Sequence, residues 1–298
     1  MTLPRILLTG KNGQVGFELQ RALAPLAEIV AVDSSDCDLS DPNAIKVMMR
    51  DVNPQLVINP AAYTAVDKAE SDPDKARAVN TVAAGVLGEE SARLGAPVIH
   101  YSTDYVYDGS KDGFYVETDA VAPKSVYGQT KLDGDRALQT ATLQHVILRT
   151  SWVVGAHGEN FAKTMLRLAS ERDEIKVVSD QFGAPTSASL IADVTAHIAR
   201  QLLQRSTDSF PFGIYHLAAG GETSWHDYAQ FVIREAVGMG KPLKTKPERV
   251  LAIPASSYPT PARRPHNSRL DTRKLCNTFG LHMPHWQDGV KHVLQQIL

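Results

Sequence analysis

Five short apolar runs alternate with segments of helical length in the first half of the chain. The runs have the length and the β-branched content of strands, and they are RILLT at 5–9, IVAV at 29–32, QLVIN at 55–59, VIHYS at 98–102 and HVILR at 145–149. The segments between them predict helices at 16–26, 43–52, 74–94 and 125–140. Strands that alternate with helices form parallel βαβ units with helices on both faces. The chain is therefore predicted to be α/β, with a doubly wound parallel sheet.

The first of these strands leads directly into a glycine-rich turn and then a helix. The stretch TGKNGQVG places Gly10, Gly13 and Gly16 at G-x-x-G-x-x-G spacing. Glycines permit a tight turn and a close approach of the backbone, and a helix N-terminus offers free N–H groups and partial positive charge to a pyrophosphate. Ligands of open α/β sheets bind at the carboxyl ends of the strands. The turn therefore predicts a dinucleotide site on a Rossmann-like sheet.

Two acidic residues follow the second predicted strand. Asp33 stands at its end, where a carboxylate can accept a hydrogen bond from the adenosine ribose. Such an acid favours NADH, since the 2′-phosphate of NADPH would meet a like charge. An arginine elsewhere in the chain could still admit NADPH, so both cofactors stay open, and Asp33 could also be a plain turn residue. Asp38 is a weaker candidate, as a partner for the adenine amino group.

The stretch SVYGQTKLDGD at 125–135 places Tyr127 four residues before Lys131. On a helix these positions share one face, so the ammonium is expected to pull the phenol below its ordinary pKa of about 10. A phenol of this kind can donate a proton to a carbonyl that becomes an alkoxide. The spacing could arise by chance, but the strand end YSTDY adds the hydroxyls of Ser102 and Thr103, which could hold a substrate oxygen. The three side-chain types together predict a reductase site.

Composition narrows the class of protein. With 298 residues, of which 43% are hydrophobic, the chain can bury a large core and form two lobes. A net charge of -2 argues against a nucleic-acid partner. Cys37 and Cys276 are the two cysteines of the sequence, too few for a disulfide framework or a cysteine-based metal site. The N-terminal apolar run is too short for a signal peptide or a membrane span, so we expect a cytoplasmic protein with no membrane partner.

These motifs resemble those of the extended short-chain dehydrogenases. The resemblance rests on the glycine spacing, on the set formed by Thr103, Tyr127 and Lys131, and on the segment YVYDG that follows the fourth strand. The segments NPAAYTAVDKAE, RTSWVVG, VVSDQFGAPTSA and YPTPARRPHNSRLD narrow it to the dTDP-4-dehydrorhamnose reductase family. Because the match includes the C-terminal half, where related epimerases and dehydratases differ, it implies a specific reaction. That reaction is the NAD(P)H-dependent reduction of the C4 ketone of dTDP-4-dehydro-β-L-rhamnose, the last step of dTDP-L-rhamnose synthesis.

The resemblance also implies a role for individual residues. Tyr127 would protonate the C4 oxygen, Lys131 would bond the nicotinamide ribose, and Thr103 would hold the sugar near the reacting oxygen. Asp104, Trp152 and Arg264 would contact the sugar nucleotide, although tryptophans mostly pack and a basic loop is often simply solvated. Besides Tyr127 and Lys131, the residues that would bind the cofactor are Gly10, Gly13, Gln14, Val15, Gly16, Asp33, Asp38, Leu39, Ala62, Tyr63, Thr64 and Tyr101.

The expected division of the chain follows from the same reading. Residues 1–150 would form the dinucleotide-binding domain, with a returning segment near 175–200, and 151–298 would form largely a smaller substrate lobe.

Some members of the family that this chain resembles form dimers bridged by Mg²⁺, which they bind with two acidic residues. Glu18 fits the first position, but Ser189 stands at the second, and a hydroxyl is a poor ligand for a hard cation. We therefore expect no metal-ligating residues and no Mg²⁺-bridged dimer, although Mg²⁺ stays open as a cofactor, and we expect a monomer or a homodimer. Two alternatives remain: an epimerase or dehydratase, and a non-catalytic regulatory subunit of the same fold.

Overall fold

The computed structural model describes residues 3–204 and 209–298. The strands are β1 (Arg5–Leu8), β2 (Glu28–Ala31), β3 (Leu56–Asn59), β4 (Val98–Thr103), β5 (His145–Thr150), β6 (Val153–Val154), β7 (Ile175–Val178), β8 (Phe182–Gly183), β9 (Thr186–Ser187), β10 (Gly213–His216), β11 (Thr223–Ser224) and β12 (Val250–Ile253). The α-helices are α1 (Gln14–Leu23), α2 (Pro42–Val52), α3 (Val66–Ala69), α4 (Pro73–Arg77), α5 (Ala83–Leu94), α6 (Val126–Ala141), α7 (Phe161–Glu171), α8 (Ala188–Gln204), α9 (Trp225–Gly238), α10 (Arg273–Phe279) and α11 (Trp286–Ile297).

The main sheet has six strands in the order β10-β5-β4-β3-β1-β2. Every neighbouring pair in it is parallel. The chain leaves β1 towards β2 on one side and then crosses to β3 on the other, so the strand order reverses between β1 and β3. In open α/β sheets, this reversal creates a crevice at the carboxyl ends of the strands. The predicted α/β fold with a parallel sheet is confirmed.

Side chains of the central strands point alternately to two hydrophobic layers, as the period of a strand requires. Ile6 and Leu8 of β1 pack in one cluster with residues of α1 and α8. Leu7 belongs to the cluster on the opposite face, together with residues of α2, α5 and α6. Because both faces are covered, the central strands read as continuous apolar runs. The sheet is thereby a rigid support for the loops at its carboxyl edge.

The helix predicted at 74–94 is not uniform. A π-helical segment, Ala78–Val82, separates α4 from α5. Its residue Asn80 is buried, and the side chain accepts from the backbone N–H of Tyr63 at 2.8 Å and donates to Thr130 Oγ1 at 3.1 Å. A Cβ at Gly134 of α6 would lie 2.1 Å from the carbonyl oxygen of Asn80. The π segment and this glycine together let α6 approach closely.

A smaller lobe is built from the later part of the chain. Its hydrophobic cluster joins α7, α9 and α11, and β7 pairs with β12 beside it. The chain returns to the main sheet through α8, which packs with α1 in the first cluster, and through β10, which extends the sheet next to β5. The first part of the predicted returning segment, β7, thus lies in the smaller lobe. Among the described residues, no helix is both long and apolar enough to span a membrane.

Candidate active site

A cleft of about 680 Å³ lies at the carboxyl edge of the main sheet. Most of the residues predicted to bind cofactor or substrate line this cleft: Gly10, Gly13, Gln14, Val15, Gly16, Asp33, Asp38, Leu39, Ala62, Thr64, Tyr101, Thr103, Asp104, Tyr127, Lys131 and Trp152. They come from the ends of all strands between β1 and β5. The topology therefore brings together residues that are up to about 140 positions apart in the sequence.

The glycine turn has the backbone that its sequence predicts. Gly10 has φ +62°, a conformation that favours glycine, and its carbonyl accepts from the N–H of Gly13 at 3.0 Å. A Cβ at Gly16 would lie only 2.0 Å from the Gly10 carbonyl oxygen. The first turn of α1 therefore sits directly against the end of β1. No side chain caps α1, so the first N–H groups of the helix suit an anion.

Asp33 and Asp38 lie on the β2 side of the cleft. The Ser35 hydroxyl and backbone N–H donate to Asp33 Oδ1 at 2.6 Å and 2.8 Å. These bonds hold the pKa of Asp33 below its ordinary value, so the group is an acceptor. Asp38 Oδ1 accepts from the Ser40 hydroxyl at 2.7 Å and from the Ser40 backbone N–H at 2.9 Å, and these two bonds lower the pKa of Asp38.

Two lysines flank these acids. Lys11 Nζ lies 4.0 Å from Asp33 Oδ2, and Lys75 Nζ lies 3.7 Å from Asp38 Oδ1. The prediction from sequence named neither lysine. Lys11 was visible in the glycine turn, whereas Lys75 reaches Asp38 from α4, a contact that no local pattern signals.

Helix α6 carries Tyr127 and Lys131 into the cleft. The Ser125 hydroxyl accepts from the N–H of Gly128 at 3.1 Å and starts the helix. A Cβ at Gly128 would lie 2.3 Å from the carbonyl oxygen of Tyr105, so the first turn packs tightly on the chain that follows β4. This close packing brings Tyr127 beside Thr103. Thr103, Tyr127 and Lys131 thus meet in one place.

The electrostatics of this set differ from the expectation. Burial raises the pKa of Tyr127 above its ordinary value of 10.0, and Thr103 opposes the rise. Lys131 is not among the groups that lower it; its Nζ donates to the carbonyl oxygen of Tyr101 at 2.6 Å and lies 3.3 Å from His100 Nε2. Burial lowers the pKa of Lys131 itself to about 8. The predicted acidic phenol is therefore wrong for this structure, and Tyr127 is a fully protonated donor.

Asp104 is a buried acid next to Thr103. Its Oδ1 accepts from Thr103 Oγ1 at 3.1 Å, and its Oδ2 has no hydrogen-bond partner among the described residues. Burial raises the pKa of Asp104 to about 6, opposed by hydrogen bonds from Ser268 and Thr103. Ser268 belongs to the C-terminal loop YPTPARRPHNSRLD. The smaller lobe thus reaches the centre of the cleft.

Trp152 is held in an unusual position at the end of β5. It has φ +48°, and its ring stacks on Trp225 with centroids 3.6 Å apart and planes 15° apart. A Cβ at Gly183 would meet the Trp152 ring at 2.6 Å, so this glycine makes room for the indole. The sequence did not point to Trp225 or Gly183. Both contacts come from the smaller lobe, and they fix one wall of the cleft.

Two predicted site residues lie outside the cleft wall. The Tyr63 hydroxyl donates to Asp72 Oδ2 at 3.2 Å. The Arg264 guanidinium donates to the two carboxylate oxygens of Asp67 at 3.0 Å and 2.6 Å. Conversely, Ser151 lines the cleft and was not singled out; its buried hydroxyl has no partner among the described residues. The strand end RTSW was recognised, but only its tryptophan was chosen.

The parallel sheet, the glycine turn and the Thr–Tyr–Lys set define the class of Rossmann-fold enzymes that bind a nicotinamide dinucleotide. Within that class the comparison with known families is specific. The family model described as the RmlD substrate binding domain matches residues 4–298. The chain belongs to this family, and the predicted resemblance is confirmed.

Individual relatives match over nearly the whole chain. The dTDP-4-dehydrorhamnose reductase of Escherichia coli is 51% identical over 296 residues, which cover 98% of this chain and 97% of the relative. The crystal structure of a dTDP-4-dehydrorhamnose reductase from Clostridium acetobutylicum matches with a TM-score of 0.90 at 34% identity and covers 98% of each chain. A structure of the Bacillus anthracis reductase in complex with NADP has a TM-score of 0.88 at 31% identity, and covers 99% of this chain and 100% of that one.

Proposed function

We propose that this protein reduces the C4 ketone of dTDP-4-dehydro-β-L-rhamnose to the alcohol of dTDP-L-rhamnose, with NADPH or NADH as the reductant. The observation that carries the proposal is the meeting of Thr103, Tyr127 and Lys131 in the cleft that the glycine turn opens. Relatives that match nearly the whole chain, at up to 51% identity, are named for this activity. The family resemblance and the site chemistry therefore point to one reaction.

In this function a bound reduced nicotinamide supplies the hydride. Tyr127 donates its phenolic proton to the C4 oxygen as the negative charge develops there. Burial keeps this phenol protonated through the neutral range, since it raises the pKa of Tyr127. Thr103 holds the same oxygen by a hydrogen bond, and Lys131 presents an N–H to the nicotinamide ribose. Asp104 and Trp152 bind the sugar nucleotide.

Both reduced dinucleotides are proposed as cofactors. Asp33 favours NADH, since its carboxylate matches the ribose hydroxyls of the adenosine. Lys11 lies 4.0 Å from Asp33 and pairs with Asp36 at 2.5 Å, and its positive charge can compensate in part for a 2′-phosphate. The Bacillus anthracis relative was solved with NADP. We therefore expect NADPH to bind, with an affinity that falls as salt screens the lysine.

The residues of this chain do not suit a bridging Mg²⁺ site. Glu18 accepts from Arg21 Nε at 3.1 Å, and the same guanidinium bonds Asp193 at 3.0 Å. The Ser189 hydroxyl lies 3.2 Å from Ser187 Oγ, and a neutral hydroxyl is a weak ligand for a hard cation. The Arg21 guanidinium thus already pairs with Glu18, the acid that a bridging cation would need as a ligand. We propose a cytoplasmic monomer or homodimer without a bridging metal, which acts on a small-molecule dTDP-sugar and on neither nucleic acid nor membrane.

The test is the variant Tyr127→Phe, assayed with the keto sugar and NADPH. Because a positioned general acid contributes about a hundredfold to ten-thousandfold, we expect kcat to fall by this factor while the dissociation constant for NADPH stays within about twofold. The matched control is Tyr228→Phe, which removes the hydroxyl of another buried tyrosine in the smaller lobe. Unchanged turnover in Tyr127→Phe contradicts the mechanism.

The same assay separates the alternatives. An epimerase or dehydratase of this fold recycles its cofactor, so it consumes no NADPH in net terms. A regulatory subunit turns over slowly or not at all. Stoichiometric loss of the reduced-nicotinamide absorbance with formation of the C4 alcohol supports the reductase, and conversion of the sugar without that loss contradicts it.

A further inference from the structure

His100 lies directly behind the lysine of the site. It occupies β4, two residues before Ser102, and its side chain is fully buried, with 1% of its surface exposed. Its Nε2 lies 3.3 Å from Lys131 Nζ, which is itself 2% exposed. His100 does not line the cleft, so it contacts neither cofactor nor substrate in the proposed function. His100 can therefore influence the reaction through Lys131, the site residue that it contacts.

The opposite edge of the imidazole is fixed by a chain of polar side chains. His100 Nδ1 lies 3.1 Å from the Asn59 amide nitrogen Nδ2, and the Asn59 oxygen Oδ1 accepts from Thr9 Oγ1 at 2.5 Å. Thr9 follows β1, Asn59 ends β3, and His100 lies in β4. All three side chains are buried. The chain therefore crosses three neighbouring strands and holds the ring at Nδ1, while Lys131 faces Nε2.

The charge state of His100 suits an acceptor. Burial and the neighbouring Lys131 both hold the pKa of His100 well below its ordinary value of 6.5. A neutral imidazole carries one N–H and one bare nitrogen. An ammonium can only donate, so when Lys131 is charged the bare nitrogen of the ring is Nε2 and the proton is at Nδ1. The Asn59 amide nitrogen faces Nδ1 and its oxygen accepts from Thr9 Oγ1, so this tautomer requires a half-turn of the carboxamide, which presents its oxygen to Nδ1–H and its nitrogen to Thr9 Oγ1. An ammonium so placed has two acceptors on the protein side, His100 and the Tyr101 carbonyl.

We propose that His100 is a positioning residue for Lys131, which takes up one N–H of the ammonium so that the remaining one is directed into the cleft. An ammonium has three N–H groups, and the Tyr101 carbonyl takes another. Without His100 the side chain is free to rotate about its last bond. The inference rests on the proposed function, in which the third N–H meets the nicotinamide ribose. It adds His100, and the Asn59–Thr9 chain behind it, to the residues on which the reaction depends.

The first test compares His100→Leu, His100→Gln and His145→Leu. Leucine removes the acceptor, whereas the glutamine side-chain oxygen can accept from Lys131. His145 is a buried histidine at the start of β5 whose ring contacts the Thr142 carbonyl at 2.7 Å, so its leucine variant measures the general cost of deleting a buried imidazole. We expect His100→Leu to lower kcat/KM about tenfold or more, His100→Gln to recover most of the loss, and His145→Leu to keep the activity of the parent protein.

Two further readouts identify positioning rather than folding. The groups that face Lys131 are Asp135 and Tyr127 on its own helix and His100 on β4. Loss of the acceptor removes a bond to the charged form, so the alkaline limb of the pH profile should move to lower pH in His100→Leu and not in His145→Leu. The KM for NADPH should rise in the same variant. Equal losses in His100→Leu and His100→Gln, with an unmoved pH profile, overturn the proposal.

A second variant, Asn59→Asp, covers the case in which His100→Leu does not fold. The carboxylate keeps the size of the side chain and raises the pKa of His100, so the ring becomes protonated at acidic pH. A protonated ring cannot accept from Lys131 and repels it. We expect Asn59→Asp to bind NADPH more weakly at acidic pH than at alkaline pH, relative to the parent, as measured by quenching of nicotinamide fluorescence. A parallel pH dependence in the two proteins overturns the proposal. Since this readout needs no turnover, it stands even if the keto sugar is not the substrate.

Discussion

The most consequential residue-level feature is the buried ammonium of Lys131. Burial lowers its pKa to about 8, and Asp135 on the next turn of α6 opposes the shift. The neutral amine lacks the charge that holds the ribose, so we expect kcat/KM to fall as the pH rises through about 8. The measurement is a pH profile at low substrate concentration, with thermal stability recorded across the same range. A profile that stays flat well above that pH, in a folded protein, contradicts the assignment.

Asp104 gives a second residue-level prediction, on stability. Burial raises its pKa from 3.8 to about 6, so the folded protein holds this proton more tightly than the unfolded chain does. The stabilising effect is therefore complete below the unfolded pKa and is lost as the pH rises through the folded one. Above it, the buried carboxylate costs on the order of 3 kcal/mol. We expect Asp104→Asn to raise the melting temperature relative to the parent at alkaline pH, with little difference below pH about 4.

The control for that prediction is Asp173→Asn, which changes an exposed acid two residues after α7. Its melting temperature should track the parent at both pH values. An Asp104→Asn variant that is destabilised equally at acidic and alkaline pH shows that the Thr103 and Ser268 contacts matter more than the burial of charge.

Sequence spacing located the residues that line the cleft where their positions depend on local structure. Tyr127 and Lys131 are neighbours on one helix, and Thr103 ends a recognisable strand, so their types and positions sufficed. Their pKa values did not follow from spacing, because burial depends on the whole fold and outweighs one helix neighbour. His100 and Ser268 were missed for the same reason: each contacts the site from a segment whose placement only the fold determines.

Among the elements, the junction between β1 and α1 is the most constrained. A Cβ at Gly16 would lie 2.0 Å from the Gly10 carbonyl oxygen, which no side-chain adjustment can relieve. We expect Gly16→Ala to shift the start of α1, to weaken NADPH binding at least about tenfold and to lower the melting temperature. The measurements are fluorescence titration with NADPH and thermal unfolding.

Gly238→Ala is the matched control for this substitution. Gly238 ends α9, and a Cβ there has no neighbour within 4 Å. Alanine is the better helix former by up to about 1 kcal/mol, so this variant should bind NADPH like the parent and melt at the same or a higher temperature. Unchanged NADPH affinity in Gly16→Ala contradicts the role of the glycine turn.

Element types in the first half followed from periodicity and turn residues. The five predicted strands occur within about one residue of their predicted bounds, since apolar β-branched runs flanked by turns have few alternatives. The π-helical segment at Ala78–Val82 could not be predicted, because one extra residue in a turn hardly changes the pattern of apolar positions. Its cause is tertiary: Asn80 bonds Tyr63 and Thr130, and Gly134 packs on its carbonyl.

At the scale of the whole molecule, the two lobes meet through the loop that follows β12. Its Ser268 lies beside Asp104 and opposes the rise in that carboxyl's pKa, its Asn267 donates to the carbonyl oxygens of Lys111 and Gly113 at 2.7 Å and 2.6 Å, and its Arg264 pairs with Asp67. The partners are more than 150 residues away in the sequence. Sequence reasoning recognised the basic loop but assigned Arg264 to substrate, because nothing in the chain near it points to Asp67.

The pair of Arg264 and Asp67 allows a test of how the lobes are coupled. The two side chains are 28% and 41% exposed, so solvent screening limits their interaction to roughly 0.5–1 kcal/mol. In a double-mutant cycle, Arg264→Ala and Asp67→Ala should each lower the free energy of unfolding, and the double variant should lose less than the sum. Additive losses would contradict an interaction between the two side chains.

Because a guanidinium also suits a pyrophosphate, Arg264→Ala should raise the KM for the sugar nucleotide even in the Asp67→Ala background. The control is Arg263→Ala, which removes the exposed neighbouring guanidinium and should change neither quantity.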